Sequence, residues 1–140
     1  MAAVILSVPH LPQREQGECL AACAAMLLHY MGLSINYNQL LKLLKVRTNI
    51  GAPASNIRYL EALGVNVIYK QGSWTELQDQ LMNNHPCMTP VQTRELSYWA
   101  ERADHAVVVV GLDDEFIYLN DPAFPNAPIQ VSRGEFDLAW

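Results

Sequence analysis

The sequence predicts an α+β domain, and three observations carry the prediction. Alanine- and leucine-rich stretches closed by glycines occupy the first 83 residues and read as helices. From residue 88 onward, apolar runs parted by turn residues read as antiparallel strands. Helices first and strands second is the α+β order, as opposed to strict alternation. The chain has 140 residues, of which 51% are apolar, enough for one sizeable buried core. A single domain over residues 1–140 is therefore expected, and general disorder is not.

Each element has its own reason. Residues 3–8, apolar except for Ser7, read as a buried strand or arm. Residues 19–32, CLAACAAMLLHYMG, contain no proline and close on Gly32, so they predict a helix of about three turns. It is apolar almost all round, which makes it the central buried helix. Residues 38–44 predict a short second helix with Leu40, Leu41, Leu43 and Leu44 as its apolar positions. TNIGAP, at 48–53, is a loop. Residues 55–63 predict a third helix stopped by Gly64, and the alternation at 65–69 predicts a strand. Ser73 with Glu76 three residues on forms a capping box, starting a helix that runs to about Asn83.

In the second half, residues 88–92 form a short strand interrupted by Pro90. Residues 93–104 are a polar loop carrying Tyr98 and Trp99. Residues 106–112 include four consecutive valines and read as a strand buried on both faces. Asp113, Asp114 and Glu115 make the turn into its hairpin partner at 116–120. Residues 129–132 are a last strand, and 133–140 a terminal helical turn.

Charge and cysteine usage exclude several functions. Nine basic against 14 acidic residues give a net charge of -5, with the basic residues scattered, so nucleic acid is not an expected partner. No apolar run reaches the roughly 20 residues of a membrane span, so no stable membrane insertion is expected. The N-terminal apolar run lacks the basic segment of a secretory signal. Three cysteines, an odd count, do not make a disulfide framework. A reduced, soluble, cytoplasmic domain is the expectation.

Cys19 opens the buried helix, where unpaired N–H groups and the helix dipole favour thiolate over thiol. The plain alternative is a small buried hydrophobe. Gln13 lies six residues earlier, after Pro9 and Pro12, where its amide can donate to a developing oxyanion beside the Cys19 N–H. Gln16 is a nearby competitor at a different spacing. His105 opens the valine strand, and Asp121 follows the hairpin partner sixteen residues later. If the two strands pair, both emerge at one end of the hairpin, as the base and orienter of a Cys-His-Asp triad. Their plain readings are a strand-end histidine and an Asp-Pro turn.

Cys23, one turn beyond Cys19, reads as core. A metal site from Cys19, Cys23 and His29 lacks a converging fourth ligand, so no metal or cofactor is expected. Cys87 reads as structural. His10, His29 and His85 have no carboxylate at a telling spacing. Tyr98 and Trp99 either line a cleft or anchor their loop.

Taken together, Gln13…Cys19-x-x-x-Cys23 followed by AAMLLHYMG resembles the N-terminal motif of the bacteriocin-processing, double-glycine leader peptidases, a branch of the papain-like cysteine peptidases. HAVVVVGLDDEFIYLNDPAFP resembles their second half, IGAPASNIRYLEALGVNV their glycine loop and helix, and VSRGEFDLAW their usual end. The resemblance implies a papain-like α+β fold, with the Cys19 helix packed on a C-terminal antiparallel sheet. It implies Cys19 as nucleophile, His105 as general base and then acid, Asp121 as orienter and Gln13 as oxyanion donor. It also implies a peptide or protein substrate, with a precursor peptide or separate transporter as partner. Two departures stand out: Leu20 replaces the glycine usual after the nucleophile, placing a side chain where peptide approaches, and Glu18 replaces the commoner aspartate. A cysteine peptidase is the leading expectation. An acyl transferase using the same triad, or a peptide-binding module on the same fold without turnover, are the alternatives.

Overall fold

The computed structural model describes residues 3–140. Helix α1 (Cys19–Tyr30) is its axis. One side of α1, with Cys23 and Met26, packs on Ala106, Val108 and Val110 of the sheet. The other side, with Leu20, Ala21, Ala24 and Leu28, packs on Leu40, Leu44, Ile57 and Leu60 of the helical half. A helix with cores on both flanks has no polar face to offer, which explains its composition. Gly32, at φ +83°, ends it, and Leu33 N–H closes back onto the Leu28 carbonyl at 2.9 Å.

Among the described residues the sheet has five strands, β1 (Val4–Ile5), β2 (Cys87–Gln92), β3 (Asp104–Leu112), β4 (Phe116–Asn120) and β5 (Ile129–Ser132). All pairings are antiparallel. β3 is its spine: β4 and then β5 lie on one side, while β2 and β1 share the other edge end to end. Side chains alternate across β3, so Val107 and Val109 face away from α1, toward Leu77, Leu81 and Phe136. Those residues come from α3 (Trp74–Met82) and α4 (Arg133–Ala139), which cover that face. The β3–β4 pairing bulges between Val109 and Gly111, and on the other side the bare Gly111 admits β1, where an added Cβ would meet the Val4 carbonyl and Ile5 Cα.

Several expected elements take a different form. Residues 88–92 belong to an uninterrupted strand that already begins at Cys87. Pro90 pairs with Ala106 without breaking it, because β2 needs ladder bonds on one side only. The third helix is a 3₁₀ helix (Ala54–Leu63). Its core residues Ile57, Leu60 and Leu63 recur every third position, which suits three residues per turn. The strand expected at 65–69 is absent. Val65 and Val67 do pack inward against the helical core, while Asn66 and Ile68 face solvent, but the segment meets helices and finds no sheet edge. The second helix, α2 (Tyr37–Leu43), starts one residue early, because the Asn36 side chain accepts from Gln39 N–H at 3.2 Å and caps it. Ser73 caps α3 in the same way, through Glu76 N–H at 3.2 Å.

Candidate active site

Cys19 is the first residue of α1 and is half-buried. No side chain caps the helix. The approach to it is tightly held. Gln13 N–H donates to the Pro122 carbonyl at 2.9 Å, tying this loop to the residue after Asp121. Gln16 carbonyl accepts from Asn49 N–H at 2.8 Å. Gly17, at φ +83°, lies so close to the 49–51 turn that a Cβ would sit 2.9 Å from the Ile50 and Gly51 nitrogens. Glu18, 3% exposed, accepts from Tyr37 O–H at 3.0 Å and from Glu15 N–H at 3.3 Å.

His105, the second residue of β3, is buried. Its Nε2 donates to Asp121 Oδ1 at 2.7 Å. Burial alone would pull this imidazole down. The hydrogen bond to Asp121, the neighbouring Cys19 and the Asp121 charge outweigh it and push the pKa up to about 9.

Asp121 has no solvent exposure. Oδ1 accepts from His105 Nε2 and, at 2.9 Å, from Ala123 N–H. Oδ2 accepts from Tyr98 O–H at 2.7 Å and Trp99 Nε1 at 2.9 Å. Burial would raise this carboxyl, but the His105 hydrogen bond and charge, with the Ala123 and Tyr98 donors, hold it below the usual carboxylate range. Asn120 does not compete for the imidazole: its Nδ2 donates to the Val8 carbonyl at 3.1 Å.

Gln13 is half-buried, and its Oε1 is buried without a hydrogen-bond partner. Gln16 is exposed, one residue before the Gly17 turn. Leu20 is 2% exposed and points into the helical core, so it does not occupy the peptide approach expected of it. Cys23 is wholly buried; burial first, then the neighbouring Cys19 and Asp121, push its thiol well up. Burial pushes Cys87 to about 11. His29 is exposed in the last turn of α1 and does not converge with the cysteines, and among the described residues no cluster of His, Cys, Asp or Glu suits a metal ion. His10 bonds the Phe124 carbonyl at 2.6 Å, and His85 bonds Gln80 on the surface.

Tyr98 and Trp99 anchor their loop onto Asp121. The Trp99 ring also stands edge-on to His105 with centroids 4.8 Å apart, and both aromatics meet Phe124 edge-on at 5.1 Å. Spacing alone could not identify these contacts. The available signal was a pair of aromatics with polar tips in an otherwise polar loop.

This fold is that of the C39 peptidases. The chain aligns over its whole length with a crystal structure described as a C39-like peptidase from Bacillus anthracis, at 18% identity and TM-score 0.82, covering 92% of that chain. It aligns over 94% of its length with the peptidase domain of Streptococcus ComA, a bifunctional ABC transporter of a quorum-sensing pathway, at 20% identity and TM-score 0.74, covering 90% of that domain. A double-glycine-motif protease from an AMS/PCAT transporter, solved with its leader peptide, aligns over 98% of the chain and 88% of its own at 22% identity and TM-score 0.60. No curated protein matches the sequence. The Peptidase_C39 like family model matches residues 5–140, and the chain belongs to that family. Among the described residues no helix is long and apolar enough to cross a membrane.

Proposed function

We propose that the protein is a papain-like cysteine peptidase that cleaves a peptide bond through Cys19, His105 and Asp121, with Gln13 completing the oxyanion site. The observation that carries this reading is the buried bond between His105 and Asp121. The ring bonds a fully buried carboxylate through Nε2 at 2.7 Å, and Cys19, at the start of α1, is the thiol it is proposed to serve. A buried imidazole oriented by a carboxylate can take a thiol's proton and later return it to a leaving group. The thiolate attacks the scissile carbonyl, and the oxygen takes up negative charge facing the Cys19 N–H and the Gln13 amide. His105 then gives its proton to the leaving amine, and Asp121 keeps the ring oriented. Water, activated by the same imidazole, releases the acyl group. An amine in place of water would make the enzyme a transferase with the same parts.

Membership of the C39-like family supports a peptide substrate, and a leader or precursor peptide, with a separate transporter as partner, fits that family best. Because α1 is shared by the helical core and the sheet core, residues 1–140 are read as one peptidase domain. The thiolate requires a reducing compartment, on this reading the cytoplasm.

Alkylation by iodoacetamide tests the pair without a known substrate. Cys19 should react far faster than Cys23 or Cys87, whose thiols are pushed up by burial, and His105→Ala should erase that advantage. In cleavage of precursor peptides, Cys19→Ala should abolish turnover, Gln13→Ala should cost on the order of 10²-fold, and Asp121→Asn should fall between. Equal labelling of the three cysteines, unchanged by His105→Ala, would refute the reading.

A further inference from the structure

A carboxylate with no solvent contact stays ionised only where donors replace the lost water. Asp121 is such a group, and its two oxygens are served from different places. Oδ1 is served locally, by His105 Nε2 and by the N–H of Ala123, two residues on. Oδ2 is served by Tyr98 O–H and Trp99 Nε1, both from the loop between β2 and β3.

That loop is built to stay in place. Its ends are clipped together by Thr93, whose Oγ1 donates to the Glu101 carbonyl and accepts from Ala103 N–H, both at 2.7 Å. Leu96 is buried in the sheet core, and Ser97 is pinned through N–H and O–H to Glu135 of α4 at 2.9 and 3.1 Å. The two aromatic rings then pack edge-on against Phe124, and Trp99 also against His105. Burial and the charge of Asp121 push the Tyr98 phenol up, so it remains a donor throughout the working pH range.

We propose that Tyr98 and Trp99 are positioning residues: they hold Asp121 ionised and fix the carboxylate plane from which His105 is oriented. This rests on the peptidase reading of the Cys19 site. Neither side chain exchanges a proton or meets substrate on this account: Tyr98 acts through Asp121, and Trp99 through Asp121 and its edge-on contact with the His105 ring. The Trp99 ring also walls one side of the His105–Asp121 bond, which keeps that bond short of competing water.

The test uses Tyr98→Phe and Trp99→Phe, which delete the donors and keep aromatic rings in the Phe124 cluster. The first readout is the low-pH titration of Asp121, followed by its carboxyl carbon resonance. Loss of one hydrogen bond to a charged acceptor should move the midpoint upward by about one pH unit or more. The second is the rate of Cys19 alkylation near neutral pH, which should fall several-fold in each variant. The third is the same rate in an Asp121→Ala background, where Tyr98→Phe should have no further effect, because residues acting through one group are not additive. An unmoved Asp121 midpoint with wild-type alkylation would overturn the proposal. So would a Tyr98→Phe loss that persists undiminished once Asp121 is gone, since that is a general structural effect. If wild-type alkylation proves indifferent to His105→Ala, the peptidase reading fails, while the Asp121 titration still decides whether the two aromatics hold the carboxylate.

Discussion

Leu20 follows the proposed nucleophile directly, yet only 2% of its surface meets solvent. Successive helix residues project about 100° apart, so Cys19 and Leu20 serve different faces. Leu20 joins Ala24, Leu40, Leu44 and Ile57 in the helical core. Leu20→Gly should therefore lower stability by about 3–5 kcal/mol, from the cavity and the helix propensity lost, as read by chemical denaturation. Alkylation of Cys19 in the remaining folded protein should change little. A faster reaction at unchanged stability would mean instead that Leu20 screens the sulfur. Local spacing singled out His105 and Asp121, which bond each other at 2.7 Å, and Gln13, whose N–H bonds the Pro122 carbonyl; their roles with Cys19 remain the proposal. The partners of Tyr98 and Trp99 were not legible in that way. Their shared acceptor lies 22 to 23 residues further on, and only the pairing of β3 with β4 brings it within reach.

Among elements, the hairpin and the central helix were readable because each has a strong signal: a valine run with an acidic turn, and an alanine-rich run with a glycine stop. The 3₁₀ helix shows what a window of helical preference conceals. Its core contacts fall at intervals of three, a spacing that α-helix also tolerates, so the sequence cannot separate the two by period alone. The missing strand at 65–69 fails for another reason. Alternation reports one covered face, and a helical surface can cover it as well as a sheet. β1 is the element most dependent on a single residue. Its two residues pair with Leu112 and Gly111, and any Cβ at Gly111 would collide with the Val4 carbonyl. Gly111→Ala should detach β1 or spread the bulge, at about 1–3 kcal/mol. Hydrogen exchange should then quicken at Leu6, whose N–H bonds the Val110 carbonyl at 2.8 Å, while β4 and β5 stay protected. Unaltered protection at Leu6 would show that the backbone absorbs the methyl group.

At the scale of the whole molecule, the buried pair makes stability depend on pH. His105 titrates near 9 in the fold against an ordinary 6.5, so its contribution is complete below about pH 6.5 and is lost as pH rises through about 9. Asp121 runs the other way: held below its ordinary 3.8, it contributes above that pH and is lost as pH falls through its lowered value. Thermal midpoints should therefore plateau between about pH 4 and 6.5, then decline toward pH 9 by a free energy on the order of 3 kcal/mol. His105→Ala should flatten the alkaline decline; a decline of the same size in that variant would assign it to other groups. The enclosure of α1 between two cores has a consequence for time as well as for energy. Its buried amides reach solvent only when the helical half and the sheet part, so their exchange with deuterium should track global unfolding, among the slowest in the protein. The proposed reacting sulfur thus belongs to the first residue of the helix expected to open last, while His105 and Asp121 belong to a strand and to the turn after its partner.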